Sequence, residues 1–570
     1  MASTIQDLPR SVHGLFASVF CRVAEQALAE APGAFEALLL LPQLLFPSSV
    51  RGKHTAHLIA LRVSLFNAQR WPSLLEEPRE HPHTPGFAFD KRKRATTLAK
   101  AGDFSAAMRA LKPGALVAPD QALASLQALH PKADPPRTFP QPPNAQPFDP
   151  AVIPPIVRGL KRKKAADLFG WRAEHVRALP PEAISTLANL LLKVTTSPEI
   201  PLQEFRPFFF GARLVPISKK NGGIRPIAVG SLFRRLIATA IVRTHATEFK
   251  EFFQPLQHGI ASPGGAENVV HIARALHSAH APTQNVVSID LTNAFNSVSR
   301  NAFLRKTDSL FPALNAWAAA CYGAHSSLLL ADGTIVESQC GVQQGDPLGP
   351  FFFCLAIHES LQKAAKAAEG ASILAYMDDI YVLGLPAQTQ TVVSSLSADL
   401  SEVGLRINLQ KCWTLHRLQG ELEGIPQTDP ECVSILGAAL SDNSPAPLLK
   451  ESIGVVSKEL PLLEDAQCAI LMLRYIHNCS ATFHLRTHAP LRSKRLVEEL
   501  TTNTLSVLSK ILDQDLSSES NKHARQRVFL PLGPGLGFTP LELAAPCAYK
   551  ASLASALIRA RRWGFFHRLA

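Results

Sequence analysis

The chain has 570 residues, 46% apolar and 18% charged, with a net charge of +12 and a pI near 9.3. That composition excludes a disordered chain, predicts three to four domains at one per ~150 residues, and suits a polyanionic partner, nucleic acid before anionic membrane. Nine cysteines without a C-x-x-C pair exclude a disulfide framework or zinc ribbon and predict an intracellular protein of nucleus or cytoplasm, not a secreted one. Asp7, Glu25 and Glu30 argue against a signal or transit peptide, and the longest apolar run, Phe35 to Phe46, holds Glu36 and Pro42 and is too short to span a bilayer, so no membrane partner is expected.

Residues 1 to about 130 read as helices, with apolar recurrence near 3.6 over Ser11 to Ala29, Ala34 to Leu45 and Thr97 to Leu111. The basic run Lys91 to Arg94 reads as a solvated loop, a phosphate contact or a nuclear address. From Pro131 to Pro155 proline recurs so densely that helix and central strand are both excluded, leaving an extended linker or a strap over a neighbouring domain. This places a first boundary, with 1–150 as a helical N-terminal extension. A second basic run, Lys161 to Lys164, precedes DLFGWRAEHVRAL, where Trp171, His175 and Val176 or Leu179 share a predicted helical face.

Arg213 to Ser218 and Ile224 to Val229 are strand-like and joined by KKNGG, a strong hairpin signal that can close on phosphates through Lys219, Lys220 and Arg225, or simply be a soluble turn. Val286 to Ile289 is predicted as a buried strand delivering Asp290 at its end. GVQQGDPLGP, with three glycines and two prolines, can only be a shaped loop, and Pro350 is placed to open a helix from Phe351 to about Ala367. Ser372 to Leu383, SILAYMDDIYVL, reads as a buried hairpin with Asp378 and Asp379 at its tip. Such a pair is either a polar turn or, because like charges repel and burial disfavours ionisation, a site for a divalent cation. Val393 to Val403 is predicted helical, GLRINLQKCW carries Lys411, and Val433 to Leu440 reads as one short strand. Beyond 441 the chain is helical and basic, with a turn at Leu530 to Phe538. Its tightest metal-like grouping, Cys468, Cys479, His484 and His488, lies in what reads as ordinary helix.

In order and kind, KKNGGIRPI, DLTNAF, QQGDPLGP, AYMDDI, Gly404 to Lys411 and Leu436-Gly437 resemble the fingers and palm of reverse transcriptases, nearest to the non-LTR retrotransposon type. The resemblance implies an α+β right-hand polymerase with fingers and palm at 151–440 and a helical thumb and C-terminal region at 441–570. It implies two Mg2+ ions, or Mn2+, on Asp290, Asp378 and Asp379, with Lys411 as general acid. Lys219, Lys220 and Arg225 would hold the triphosphate, Gln344 and Gly345 would meet the nucleotide, and Phe295 would exclude a ribose 2′-hydroxyl. Tyr376, Met377, Leu436 and Gly437 would line the primer side. The implied partners are an RNA template, a DNA primer and dNTPs, and the lack of a recognisable endonuclease leaves room for a separate one. The alternative implied by the same fold is a catalytically inactive or domesticated RNA-binding scaffold.

Overall fold

On either side of the Lys219–Gly223 turn, burial alternates residue by residue, as a half-buried hairpin requires. In the computed structural model, which describes residues 4–75, 90–112, 117–137, 146–197, 200–219, 222–280 and 283–565, these runs are β1 (Ala212–Ser218) and β2 (Ile224–Gly230). They pair antiparallel from Ala212↔Gly230 to Ser218↔Ile224. Next come β3 (Asn285–Ile289), β4 (Ser326–Leu329), β5 (Ile335–Ser338), β6 (Ser372–Tyr376), β7 (Asp379–Gly384) and the two-residue β8 (Trp413–Thr414). One sheet has the order β2-β1-β4-β5 and the other β6-β7-β3-β8.

The second sheet is buried on both faces, which explains its nearly charge-free strands. Val287, Ile289, Ile373, Ala375, Ile380 and Val382 join the largest core, shared with helices Gly349–Ala367 and Pro386–Glu402. Their alternates Val286, Leu374, Tyr381 and Leu383 face a second core with helix Gly265–His280. Pro350 sits in the first turn of the helix that begins at Gly349, where its missing N–H costs nothing.

The first 150 residues are distributed over three cores. Helices His13–Leu28, Ala34–Leu45 and Thr55–Asn67 enter the largest core together with Trp171 and helix Pro181–Thr196. Helix Pro119–Leu129 lays Ala122 and Leu126 on the β1–β2–β4–β5 sheet. The pattern predicted over Thr97–Leu111 is two helices, Lys91–Lys100 and Phe104–Leu111, because Gly102 takes a φ of 78° and Asp103 caps the second helix. Both helices share a core with residues 456–538.

Several sequence expectations are corrected by these contacts. The Lys91–Arg94 run is the first turn of a helix capped by Asp90, and Lys91 and Arg92 both pair with buried Glu459, 2.7 and 3.2 Å away. The proline-rich stretch has no regular structure over 131–137, its residues 138–145 lie outside the described ones, and Pro154 and Pro155 open helix Ile153–Gly159, where a first turn tolerates them. In DLFGWRAEHVRAL only Ala173–Arg177 is helical, although Trp171 and His175 are both fully buried with ring centroids 6.1 Å apart. Val433–Leu440 is a hairpin, β9 (Ser434–Ile435) and β10 (Ala438–Ala439), turning at Leu436 and Gly437 with φ of 50° and 84°. Between Lys450 and Arg562 the C-terminal region is mostly helical, broken at 513–518 and by the expected turn within 529–540, and none of its described helices, or any other described helix, is long and apolar enough to cross a membrane.

Candidate active site

The site is built where β3 ends and the β6–β7 hairpin turns. Register pairs Ile289 with Ile380 and Tyr376 with Asp379, so Asp290, the next residue after β3, stands beside the turn that carries Asp378 and Asp379. The loop 406–412 fixes Asp290 from the other side: the Asn408 N–H donates to the Asp290 carbonyl at 2.9 Å and the Asp290 N–H to Cys412 Sγ at 3.3 Å. That loop also brings Lys411 close enough to act on Asp290 electrostatically.

The three carboxylates act on one another. Burial raises the Asp290 carboxyl above its usual range, and Lys411 and Lys219 work against that rise. Asp378 is raised by burial and by Asp290, with Arg225 opposing. Asp379, the more exposed of the turn's two acids, is pushed up to about 6 by desolvation and by the charges of Asp378 and Asp290, and solvent screening there moderates the effect. The structure thus gathers Asp290, Asp378, Asp379, Lys411, Lys219 and Arg225 into one electrostatic unit. Lys220 lies outside the described residues.

The donor set suits a hard divalent cation. Among the described residues no group of three or more His, Cys, Asp or Glu side chains is drawn together closely enough to form a cage, neither these aspartates nor the Cys468–Cys479–His484–His488 grouping. Mg2+ characteristically binds through one or two carboxylates and completes its shell with substrate phosphates and water, so an open cluster of mutually repelling carboxylates fits it.

The remaining predicted residues surround this point. Phe295 stacks on Phe353 with centroids 4.7 Å apart, and its carbonyl accepts from the Val342 N–H at 2.7 Å, tying the Asp290 side to the QQGDPLGP loop. The Gln344 carbonyl accepts from the Ala228 N–H of β2 at 2.8 Å. Gly345, with φ of 136°, is required by that approach: a Cβ there would lie 2.2 Å from the Ala228 carbonyl oxygen. Its glycine is explained by the contact with β2. Leu436 holds its left-handed conformation with its N–H bonded to the Tyr381 hydroxyl of β7 at 3.1 Å, so its hairpin is moored to the acid-bearing strand. Tyr376 and Met377 are half-buried at the turn.

Two buried anchors were not singled out from the sequence. Asp346, in the same loop as Gln344, pairs with Arg234 at 2.7 Å and accepts from the Tyr322 hydroxyl at 2.7 Å and the Leu348 N–H at 2.9 Å. Asp167 accepts from the N–H groups of Phe169, Trp171 and Leu232, with burial pushing its carboxyl up to about 6. For Asp346 the only sequence signal was an acid between Gly345 and Pro347 in a loop that must be shaped.

Residues 217–440, from the end of β1 through β10, match the profile of the family described as "Reverse transcriptase (RNA-dependent DNA polymerase)". The chain therefore carries a reverse transcriptase domain over these residues, set in a fold that mixes helix and sheet. Its relatives are proteins of retrotransposable elements. The "Retrotransposable element SLACS 132 kDa protein" of Trypanosoma brucei gambiense is 26% identical over 426 residues, 70% of this chain and 34% of that protein. The "Retrovirus-related Pol polyprotein from type-2 retrotransposable element R2DM" of Drosophila melanogaster is 26% identical over 270 residues, 43% of this chain and 24% of that protein. The chain thus spans about a third and a quarter of these relatives. Apo telomerase from Candida tropicalis aligns over 65% of this chain and 67% of its own at 12% identity and a TM-score of 0.35, a likeness too slight to add to the assignment.

Proposed function

We propose that this chain is an RNA-directed DNA polymerase of a retrotransposon-like element, adding dNTPs to the 3′-hydroxyl of a DNA primer on an RNA template. The observation that carries the proposal is the convergence of Asp290, Asp378 and Asp379 at one sheet end, each carboxyl raised, with Lys219, Arg225 and Lys411 around them. Asp290, Asp378 and Asp379 would hold two Mg2+ ions, or Mn2+, and bound there the ions would supply charge stabilisation for the attacking and leaving oxygens.

The chain's own residues do the positioning on which phosphoryl transfer depends. Lys219 or Lys220, with Arg225, grips the triphosphate from the fingers hairpin. Gln344 meets the incoming nucleotide from a loop braced on β2. Phe295, held flat against Phe353, closes the space a ribose 2′-hydroxyl would need. Lys411 delivers a proton from Nζ to the departing pyrophosphate oxygen. Leu436 and Gly437 grip the primer end, with Tyr376 and Met377 lining the same side. The net charge of +12 supports sequence-independent, salt-sensitive binding of the template.

Primer extension on an RNA template, with dNTPs and separately with rNTPs, tests this reading. Wild type extends with dNTPs and Asp378→Asn does not, both remaining folded and RNA-bound. Folded, RNA-binding wild type without incorporation would overturn the proposal and leave an RNA-binding scaffold.

A further inference from the structure

Gln257 is fully buried and 120 residues distant in sequence from the acid turn, yet both polar atoms of its amide are committed to that turn. Its Oε1 accepts from the Met377 N–H at 2.6 Å and from the Gly259 N–H at 3.0 Å. Its Nε2 donates to the Met377 carbonyl at 3.2 Å. The segment is itself anchored, because the Ala375 N–H donates to the Leu256 carbonyl at 2.8 Å and the His258 N–H to the Ala375 carbonyl at 2.7 Å, adding a short parallel edge to β6.

Met377 needs such a clamp. It is the first of the two residues joining β6 to β7, and its φ is 59°. A positive φ there is the habit of glycine, whereas a long unbranched side chain is strained in it. Gly259 makes the room: a Cβ at 259 would lie 2.7 Å from Met377 Cγ and 2.9 Å from its backbone nitrogen. Asp378 is the next residue, so the Met377 peptide plane sets where its carboxylate points.

We propose that Gln257 is a positioning residue, whose amide holds Met377 in the left-handed conformation and thereby aims Asp378. Its kinetic consequence rests on the polymerase function proposed above. Without the clamp Met377 relaxes toward negative φ, and a misplacement on the order of 1 Å costs roughly 100-fold in rate. Glutamate at 257 would still accept from the Met377 N–H but cannot donate to its carbonyl, so it should restore part of the function.

The test combines a structural and a kinetic arm on the full chain. In amide hydrogen exchange without nucleotide or metal, Gln257→Ala should speed exchange across residues 372–383 about tenfold or more, Gln257→Glu less, and Gly259→Ala should act like Gln257→Ala. Unchanged exchange overturns the proposal whether or not the protein is a polymerase. In primer extension Gln257→Ala should lower kcat roughly 10- to 100-fold while the KM for dNTP stays within about threefold. In a Met377→Gly background, where positive φ is free of strain, adding Gln257→Ala should cost about threefold or less. Equal losses in both backgrounds would make Gln257 a merely structural residue and overturn the assignment. Wild type that fails to extend a primer but shows the exchange differences sinks the polymerase reading and leaves the clamp standing.

Discussion

Replacing Arg234 by methionine tests how the loop that presents Gln344 is held. Arg234 is 1% exposed; its Nη1 donates to the Phe210 carbonyl and to Gln343 Oε1 at 2.6 Å, and its Nη2 to Asp346 at 2.7 Å. Methionine keeps much of the volume but leaves the Asp346 carboxylate buried without its counter-charge. Removing one partner of a buried pair costs about 3–5 kcal/mol. The lower end applies here, because the Tyr322 hydroxyl and the Leu348 N–H still solvate the carboxylate. We therefore expect a loss of about 3 kcal/mol for Arg234→Met and a comparable one for Asp346→Asn. The double variant should lose about 1–3 kcal/mol less than their sum, since neither charge is then stranded. Urea unfolding of the four proteins measures the cycle, and dNTP KM should rise with each single substitution as Gln344 loses its footing. Losses additive within about 0.5 kcal/mol would refute the argument, because that is the behaviour of independent sites.

Two other outcomes follow from the geometry. Gly345→Ala forces a Cβ to within 2.2 Å of the Ala228 carbonyl oxygen at a φ of 136°, so it should break the Ala228–Gln344 bond, destabilise by roughly 1–3 kcal/mol or more, and raise dNTP KM, read by thermal melting and steady-state extension. Acidification should unfold the protein from pH 6.5 downward. His175, His258, His271, His477 and His488 are all buried, and burial pushes each down to about 4. The unfolded chain takes up protons near pH 6.5 that the folded chain refuses until about 4, so stability falls across that window, by up to about 1.4 kcal/mol per pH unit for each histidine. The raised carboxyls of Asp167, Asp290, Asp378 and Asp379 oppose this and the lowered ones of Asp103, Glu267 and Glu459 reinforce it. A melting temperature that rises from pH 6.5 to 4.5 would contradict the histidine assignment.

What the sequence determined by itself was whatever depends on a few adjacent residues. Asn-Gly between β-branched runs makes a hairpin, Pro350 opens a helix, and SILAY and IYVL suit a sheet interior, which puts Asp290 at a strand end and Asp378 and Asp379 at a hairpin tip. Backbone stereochemistry and side-chain period act locally, and such signals survive in a single chain. Partners did not follow from the sequence, because an ion pair or a close approach is decided by which distant segment is buried against it. Lys91 and Arg92 looked like a free basic run until Glu459 arrived from 368 and 367 residues away. Asp346 and Asp290 both stand in loops beside apolar segments, yet Arg234 neutralises the first, while burial raises the second against the pull of Lys411 and Lys219. Gly345 serves β2, and Leu436, in what looked like a plain strand, turns a hairpin held by Tyr381. The acid turn itself was legible as a motif, but its strained methionine and the buried glutamine that clamps it exist only once the chain between residues 257 and 377 has folded back on itself.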